Sequence, residues 1–368
     1  MASEFDLIAQ FFTRPLRHTE LGVGDDGAVI RPSANCELVI STDLLVEGTH
    51  FFSDVDPESL GWKTLAVNLS DMAAMGATPR WATLGCVLYA PVGNGVSPSA
   101  TAQSASCARP PCSAVVSGVG SASSAPTGTP SASEPWLGDF SRGFFSCADR
   151  YGVDLIGGDT TRGHPGASMF SVTIIGEVPC GQAIRRDGAQ VGDTIWVSGT
   201  PGRAATGLAH LRGQVQLAGA FRDDCLAALH RPTPRIELGL ALRGLASSAI
   251  DVSDGLLADL GHILITSRVS ARLQMPELPD TALAREMYLA GGDDYELVFT
   301  IAAKRAPEIV ALGEALGLPL RQIGIVCRDQ PGTLTVHDSG GFDITPARRG
   351  FDHFADRIPN PLPPNLTD

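Results

Sequence analysis

Apolar and polar positions fall into short blocks of two different periods along most of this chain. Glu37–Ser41 and Trp81–Tyr89 are runs of aliphatic, β-branched and aromatic residues too short for helices, and they read as strands. Met169–Val178, Thr194–Ser198, Glu296–Ile301 and Arg321–Val326 read the same way. Between the first two lies Ser59–Met75, where Leu65, Leu69, Met72 and Met75 recur at helical spacing and Gly76 offers a C-terminal cap. Trp136–Tyr151, Asp224–Leu229 and Gly239–Leu245 are further predicted helices, the last following the breakers Pro232 and Pro234. A composition change near Pro179–Gly188 suggests a boundary, so the pattern predicts two α+β domains, 1–180 and 181–368.

One stretch follows neither period. Of the 43 residues from Val92 to Glu134, 11 are Ser, 8 Ala, 5 Gly and 5 Pro, and none is aromatic. Such a composition buries too little apolar surface to offset its ordering entropy, so a flexible surface loop is expected. A true insertion and a frame-shifted stretch both fit it, and Cys107 and Cys112 are unusual in either.

Composition narrows the chemistry. The chain has 368 residues, with 27 Lys and Arg against 40 Asp and Glu, a formal charge of −13. This acidity argues against a nucleic-acid partner, since phosphate backbones require a basic footprint. Only Lys63 and Lys304 are lysines, so a Walker-type phosphate lysine is nearly excluded by count. The N-terminal Met1–Phe12 carries Glu4 and Asp6 where a secretory signal needs positive charge. No run of 18 apolar residues suggests a membrane span. The eight cysteines are scattered without a CxxC pair and read as small buried hydrophobes of a reduced, cytoplasmic protein.

The informative residues are aspartates in short Gly- or Ser-containing clusters: Gly24-Asp25-Asp26, Ser41-Thr42-Asp43, Ser70-Asp71, Gly157-Gly158-Asp159, Asp251-Val252-Ser253-Asp254-Gly255 and Gly291-Gly292-Asp293-Asp294. Singly, each reads best as a turn or helix cap. Asp71 is the exception, because a carboxylate inside an apolar helix is costly unless paired or bound to a metal. Together, six acidic clusters with almost no lysine suit oxygen-ligand Mg²⁺ sites that gather anionic phosphates. Gly157 and Gly158 would let backbone amides approach a phosphate, and Arg162 and Arg186 are candidate phosphate clamps. No EF-hand loop, GxSxG or HExxH is present, which removes the calcium-loop and nucleophile readings. His50 follows Asp43 by seven residues; a lone His reads first as a packed or surface residue, and nearness to a metal cluster would favour substrate contact instead.

The strings LGVGDDGAVI, STDLLVEGTHF, GWKTLAVNLSDMAAMGATPRW, DLIGGDTTRG, GDTIWVSGTPG, IDVSDGLLADLGHI and LAGGDDYEL occur in one order. That series resembles the thiamine-monophosphate kinases of the aminoimidazole-ribonucleotide-synthetase-like superfamily, over nearly the whole chain except 92–134. The resemblance implies an α+β, two-domain synthetase-like fold. An N-terminal mixed-sheet domain would bind ATP and Mg²⁺ and form a homodimer, with a C-terminal α/β domain behind it. It implies ATP-dependent phosphorylation of thiamine monophosphate to thiamine diphosphate, by direct transfer with several Mg²⁺ ions. By motif, Asp26, Ser41, Thr42, Asp43, Asp71, Asp159, Asp251 and Asp254 match the metal positions, with Asp43, Asp71 and Asp159 central to catalysis. Gly158, Asp159, Arg186 and Ser253 match nucleotide contacts, and His50, Asp293 and Phe351 match the thiamine contacts. An aromatic face at Phe351 suits a thiazolium cation. Other ATP-using members of the superfamily lack support, since no reactive N- or C-terminal Cys is present. A non-catalytic binding protein is the reading from another class, and the intact aspartates weigh against it.

Overall fold

The computed structural model describes residues 4–88, 133–163, 168–275, 279 and 281–352. The predicted loop 92–134 lies outside these residues except for its last two positions, which open a helix. After a short helix α1 (Glu4–Leu7) and a two-stranded ribbon of β1 (Thr19–Leu21) and β2 (Val29–Ile30), the first half contains β3 (Cys36–Val46), α2 (Pro57–Ala74), β4 (Thr78–Leu88), α3 (Ser133–Tyr151), β5 (Asp154–Arg162) and β6 (Met169–Pro179). Its sheet has the order β3-β6-β4-β5, antiparallel except between β4 and β5.

The second half contains β7 (Asp193–Ser198), α4 (Arg203–Leu211), α5 (Gly219–His230), α6 (Ile236–Ala241), β8 (Ala246–Asp251), α7 (Leu256–Ser267), β9 (Ser270–Gln274), α8 (Ala282–Ala290), β10 (Leu297–Ala302), α9 (Ala306–Leu316), β11 (Leu320–Cys327) and β12 (Leu334–His337). The sheet runs β12-β9-β11-β7-β10-β8, with one parallel pair, β12 and β9. No helix among the described residues is long and apolar enough to cross a membrane.

Helix α2 joins the halves. Asp56 caps it by accepting the Ser59 amide at 2.8 Å, and Pro57 opens it where a missing N–H costs nothing. Every residue from Leu60 to Ser70 is buried, because α3, the first sheet and the α6–β8 segment surround the helix. Two glycines make the close approach possible. A Cβ at Gly61 would sit 1.9 Å from the Phe140 carbonyl oxygen, and one at Gly143 would sit 1.7 Å from that of Glu58. Trp136, Phe140 and Phe170 stack from α3 onto β6, with Phe140 and Phe170 centroids 4.6 Å apart.

The helix expected at Gly239–Leu245 instead begins at Ile236, with Arg235 as its N-cap after Pro234, and stops at Ala241 before Gly244 turns left-handed at φ +67°. Eleven of the described elements had no signal read from the sequence: α1, α4, α7, α8, α9, β1, β2, β5, β8, β9 and β12. Helix α7 shows why. LLADLGHILITS is apolar on most sides, so no polar stripe marks its period.

Candidate active site

Strand alternation divides β3 between two surfaces. Ser41 and Asp43 face α2, while Leu38, Ile40, Thr42 and Leu44 point the other way, Thr42 Oγ1 meeting Thr173 Oγ1 at 2.8 Å. Ser41 Oγ donates to Asp71 Oδ2 at 2.5 Å, and the Asp43 amide donates to Asn68 Oδ1 at 3.0 Å. The helix thus holds Asp71 beneath the strand that carries Asp43.

The second half brings Asp251 at the end of β8 and Asp254 in the loop entering α7 to the same place. Burial raises the Asp43 carboxyl to about 7, and the negative charges of Asp71 and Asp254 add to the rise. Asp71 is also raised by burial, with the Ser41 hydroxyl and the nearby Arg186 guanidinium opposing it. Asp251 rises well above the ordinary carboxylate range, first from burial and then from Asp71 and Asp259. Four aspartates from both halves therefore repel one another across one seam. Among the described residues, no three acidic, His or Cys side chains converge tightly enough to enclose an ion on their own. A cation that keeps waters and takes phosphate oxygens needs only one or two carboxylates, so the all-oxygen set suits Mg²⁺. The buried Ser70 hydroxyl beside this seam opposes the rise of Asp251.

Asp259 shapes the loop. Its buried Oδ2 accepts the amides of Ser253 at 3.0 Å, Asp254 at 3.1 Å and Gly255 at 3.0 Å. The amides of Asp293 and Tyr295 donate to the Ser253 and Val252 carbonyls at 2.7 and 2.8 Å, and both residues are left-handed, at φ 72° and 53°. The Phe351 amide donates to the Asp254 carbonyl at 2.8 Å, which sets a half-exposed ring beside the Ser253–Gly255 loop.

Other expected site residues make contacts of their own. Asp26 is exposed between β1 and β2, its amide bonded to Asp25 Oδ1 at 2.9 Å. Thr42 turns to the opposite face because neighbours on a strand alternate. Asp159 lies within β5 rather than at a strand end, and β6 and β4 separate that strand from β3. At about 4.8 Å per strand, this puts Asp159 roughly 14 Å from the β3 edge. Gly158 shares a row with Asp43 through Val172 and Leu84. A Cβ at Gly158 would come within 1.9 Å of the Leu84 carbonyl oxygen, so close approach to β4 already requires glycine there. Asp294 is a cap, accepting the Gly202 and Ala204 amides at the start of α4. His50 Nδ1 accepts the Val46 amide at 3.0 Å. Asp293 pairs with Lys63 Nζ at 2.5 Å.

Sequence reasoning passed over Lys63, Asn68 and Asp259. The signal for Lys63 was present, since it is the sole charge between Glu58 and Asp71 in an otherwise apolar helix.

Two α+β halves that close an acidic seam define the AIR synthase class. The model of the AIR synthase related protein N-terminal domain matches residues 24–123 and 104–178, and that of the C-terminal domain matches 190–337. The chain is 42% identical over 366 residues to the thiamine-monophosphate kinase of Escherichia coli, covering 96% of this chain and 98% of that protein. The crystal structure of thiamine-monophosphate kinase from Stenotrophomonas maltophilia superposes with a TM-score of 0.68 at 42% identity, over 91% of this chain and 94% of that one. A structure described as AaThiL complexed with AMPPCP and TMP matches at TM-score 0.65 and 26% identity, over 90% and 92% of the two chains. This chain belongs to the thiamine-monophosphate kinase family.

Proposed function

We propose that this protein transfers the γ-phosphoryl group of ATP to the phosphate of thiamine monophosphate, giving thiamine diphosphate and ADP. The observation that carries this reading is the seam of Asp43, Asp71, Asp251 and Asp254, an oxygen-only set in which the charges of Asp71 and Asp254 add to the rise of Asp43, and those of Asp71 and Asp43 to the rise of Asp251. Asp43, Asp71 and Asp251 would hold Mg²⁺, with Asp254 at the rim. When bound, the metal would draw two anionic phosphates together and offset the charge that grows on the transferred group. Arg186, exposed and near Asp71, supplies a second positive group for phosphate oxygens. Asp259 holds the Ser253–Gly255 loop in register for the nucleotide side. The Phe351 ring, tied to Asp254, offers a face for the thiazolium cation, worth about 0.5–2 kcal/mol.

The protein acts as a homodimer on this reading, through the outer face of the first sheet. Leu38, Ile40 and Leu44 are 41%, 62% and 45% exposed on edge strand β3, an apolar surface that a second copy of the sheet would cover. The cytoplasm suits the six free cysteines among the described residues. Incubation with ATP, Mg²⁺ and thiamine monophosphate, followed by chromatography, tests the reaction. A folded, ATP-binding sample that yields no thiamine diphosphate refutes it.

A further inference from the structure

The only lysine in the first half of the chain is buried in the helix that joins the two halves. The Lys63 side chain is 4% exposed and its Nζ lies 2.5 Å from Asp293 Oδ2, across 230 positions of sequence. Both partners are costly to keep. A buried ammonium loses its hydration, and Asp293 sits at φ 72°, where a non-glycine residue is strained. What the pair connects explains its cost. Lys63 lies on α2, which carries Asn68 and Asp71 and so holds the Asp43 strand. Asp293 is bonded through its amide to Ser253, in the loop that presents Asp254. Buried Tyr295 lies within electrostatic reach of Asp293, Asp43 and Asp251, so the pair stands close to the seam.

We infer that Lys63, through its ion pair with Asp293, is a positioning residue that fixes the spacing between the Asp43–Asp71 and Asp251–Asp254 halves of the carboxylate cluster. This role rests on the phosphotransfer reading above. It gives Asp293 a partner within the chain alongside the thiamine contact implied by resemblance, since the Asp293 side chain stays 29% exposed. The Lys63 charge faces Asp293, and the cation site keeps its own carboxylates. Loss of either partner therefore loosens metal geometry without removing a metal ligand.

Lys63→Met, Asp293→Asn and the double variant test the inference by two readouts: steady-state kinetics, and Mn²⁺ binding followed by electron paramagnetic resonance without substrate. Each single change is expected to lower kcat and Mn²⁺ affinity by about 10–100-fold, the usual effect of removing a residue that supports metal ligands, with KM for thiamine monophosphate shifted by less than about threefold in Lys63→Met. The double variant should be no worse than the poorer single one, because both break the same pair. The inference falls if Lys63→Met keeps wild-type kcat and Mn²⁺ affinity. It also falls if Asp293→Asn raises KM alone while Lys63→Met is silent, the signature of a substrate contact. Should Lys63→Met fail to fold, Lys63→Arg keeps the charge. Mn²⁺ affinity restored toward wild type in that variant supports the role, and affinity as low as that of Asp293→Asn refutes it. A wild-type protein that makes no thiamine diphosphate refutes the phosphotransfer reading, while the Mn²⁺ comparison still decides the role of Lys63.

Discussion

Raising the pH of the metal-free protein should destabilise it, and Mg²⁺ should reverse the effect. An aspartate whose carboxyl is raised in the folded state binds more protons folded than unfolded. Its contribution is therefore fully present below the unfolded value of 3.8 and is lost as pH rises through the folded one. For Asp43, raised to about 7, the difference of roughly 3 units corresponds to about 4 kcal/mol at 1.36 kcal/mol per unit. Asp71 and Asp251 shift in the same direction, and Asp259 is also raised to about 7 by burial. Opposing groups are few in this window. The lowered carboxyls of Asp56, Glu177, Glu308 and Asp343 act only below the ordinary carboxylate range. His230, lowered by burial and Lys63, favours the folded state as pH rises to about 6.5, a single group against several. At about 1–2 °C per kcal/mol for a chain of this length, Tm in EDTA should fall by roughly 5 °C between pH 5 and 8. Scanning fluorimetry across that range, with and without Mg²⁺, measures it. Mg²⁺ should stabilise most above pH 7, and Asp43→Asn should flatten the slope. A Tm in EDTA that is flat or climbs from pH 5 to 8, or an Asn variant with the wild-type slope, would refute the reasoning.

Three further outcomes follow from the geometry. Asp259→Ala strands one buried and two part-buried amides and should cost about 3 kcal/mol, read by urea unfolding, and it should weaken Mg²⁺-dependent stabilisation as the Ser253–Gly255 loop relaxes. Gly61→Ala drives a methyl into the Phe140 carbonyl and should cost about 3 kcal/mol or more, whereas Gly27→Ala, with open space around its Cβ position, should be nearly neutral in the same assay. Ile40→Glu places a charge on the outer face of β3 and should halve the mass seen by light scattering; a wild-type mass of 38.4 kDa would rule out the dimer instead.

Much of the first half was legible because its signals are local. Strand β6 matches its apolar run to within a residue, and α2 ends just before the Gly76 stop signal, though it begins at Pro57, two residues ahead of the expected Ser59. The aspartate motifs were equally plain, since Gly and Ser beside Asp mark loops and helix ends. The second half hid more. In α7 a buried helix lost its polar stripe, and β8 (ASSAID) has too little apolar character to announce a strand. Asp294 and Asp293 are neighbours in one acidic string, yet one caps α4 and the other pairs with Lys63. Nothing in the local sequence separates the two, because the partner of each lies far along the chain.

The sequence by itself determined the family, the length and type of the strongest elements, and an aspartate-rich, lysine-poor chemistry suited to metal-held phosphates. Composition and short-range period suffice for these. Only the tertiary structure decided which aspartates meet. Strand alternation turned Thr42 away from Asp43, and strand order set Asp159 across the sheet. The packing of α2 between the halves brought Asp71 to Asp43 and Lys63 to Asp293. Charge interaction depends on separation and on exclusion of water, and both are set by contacts between residues distant in the chain.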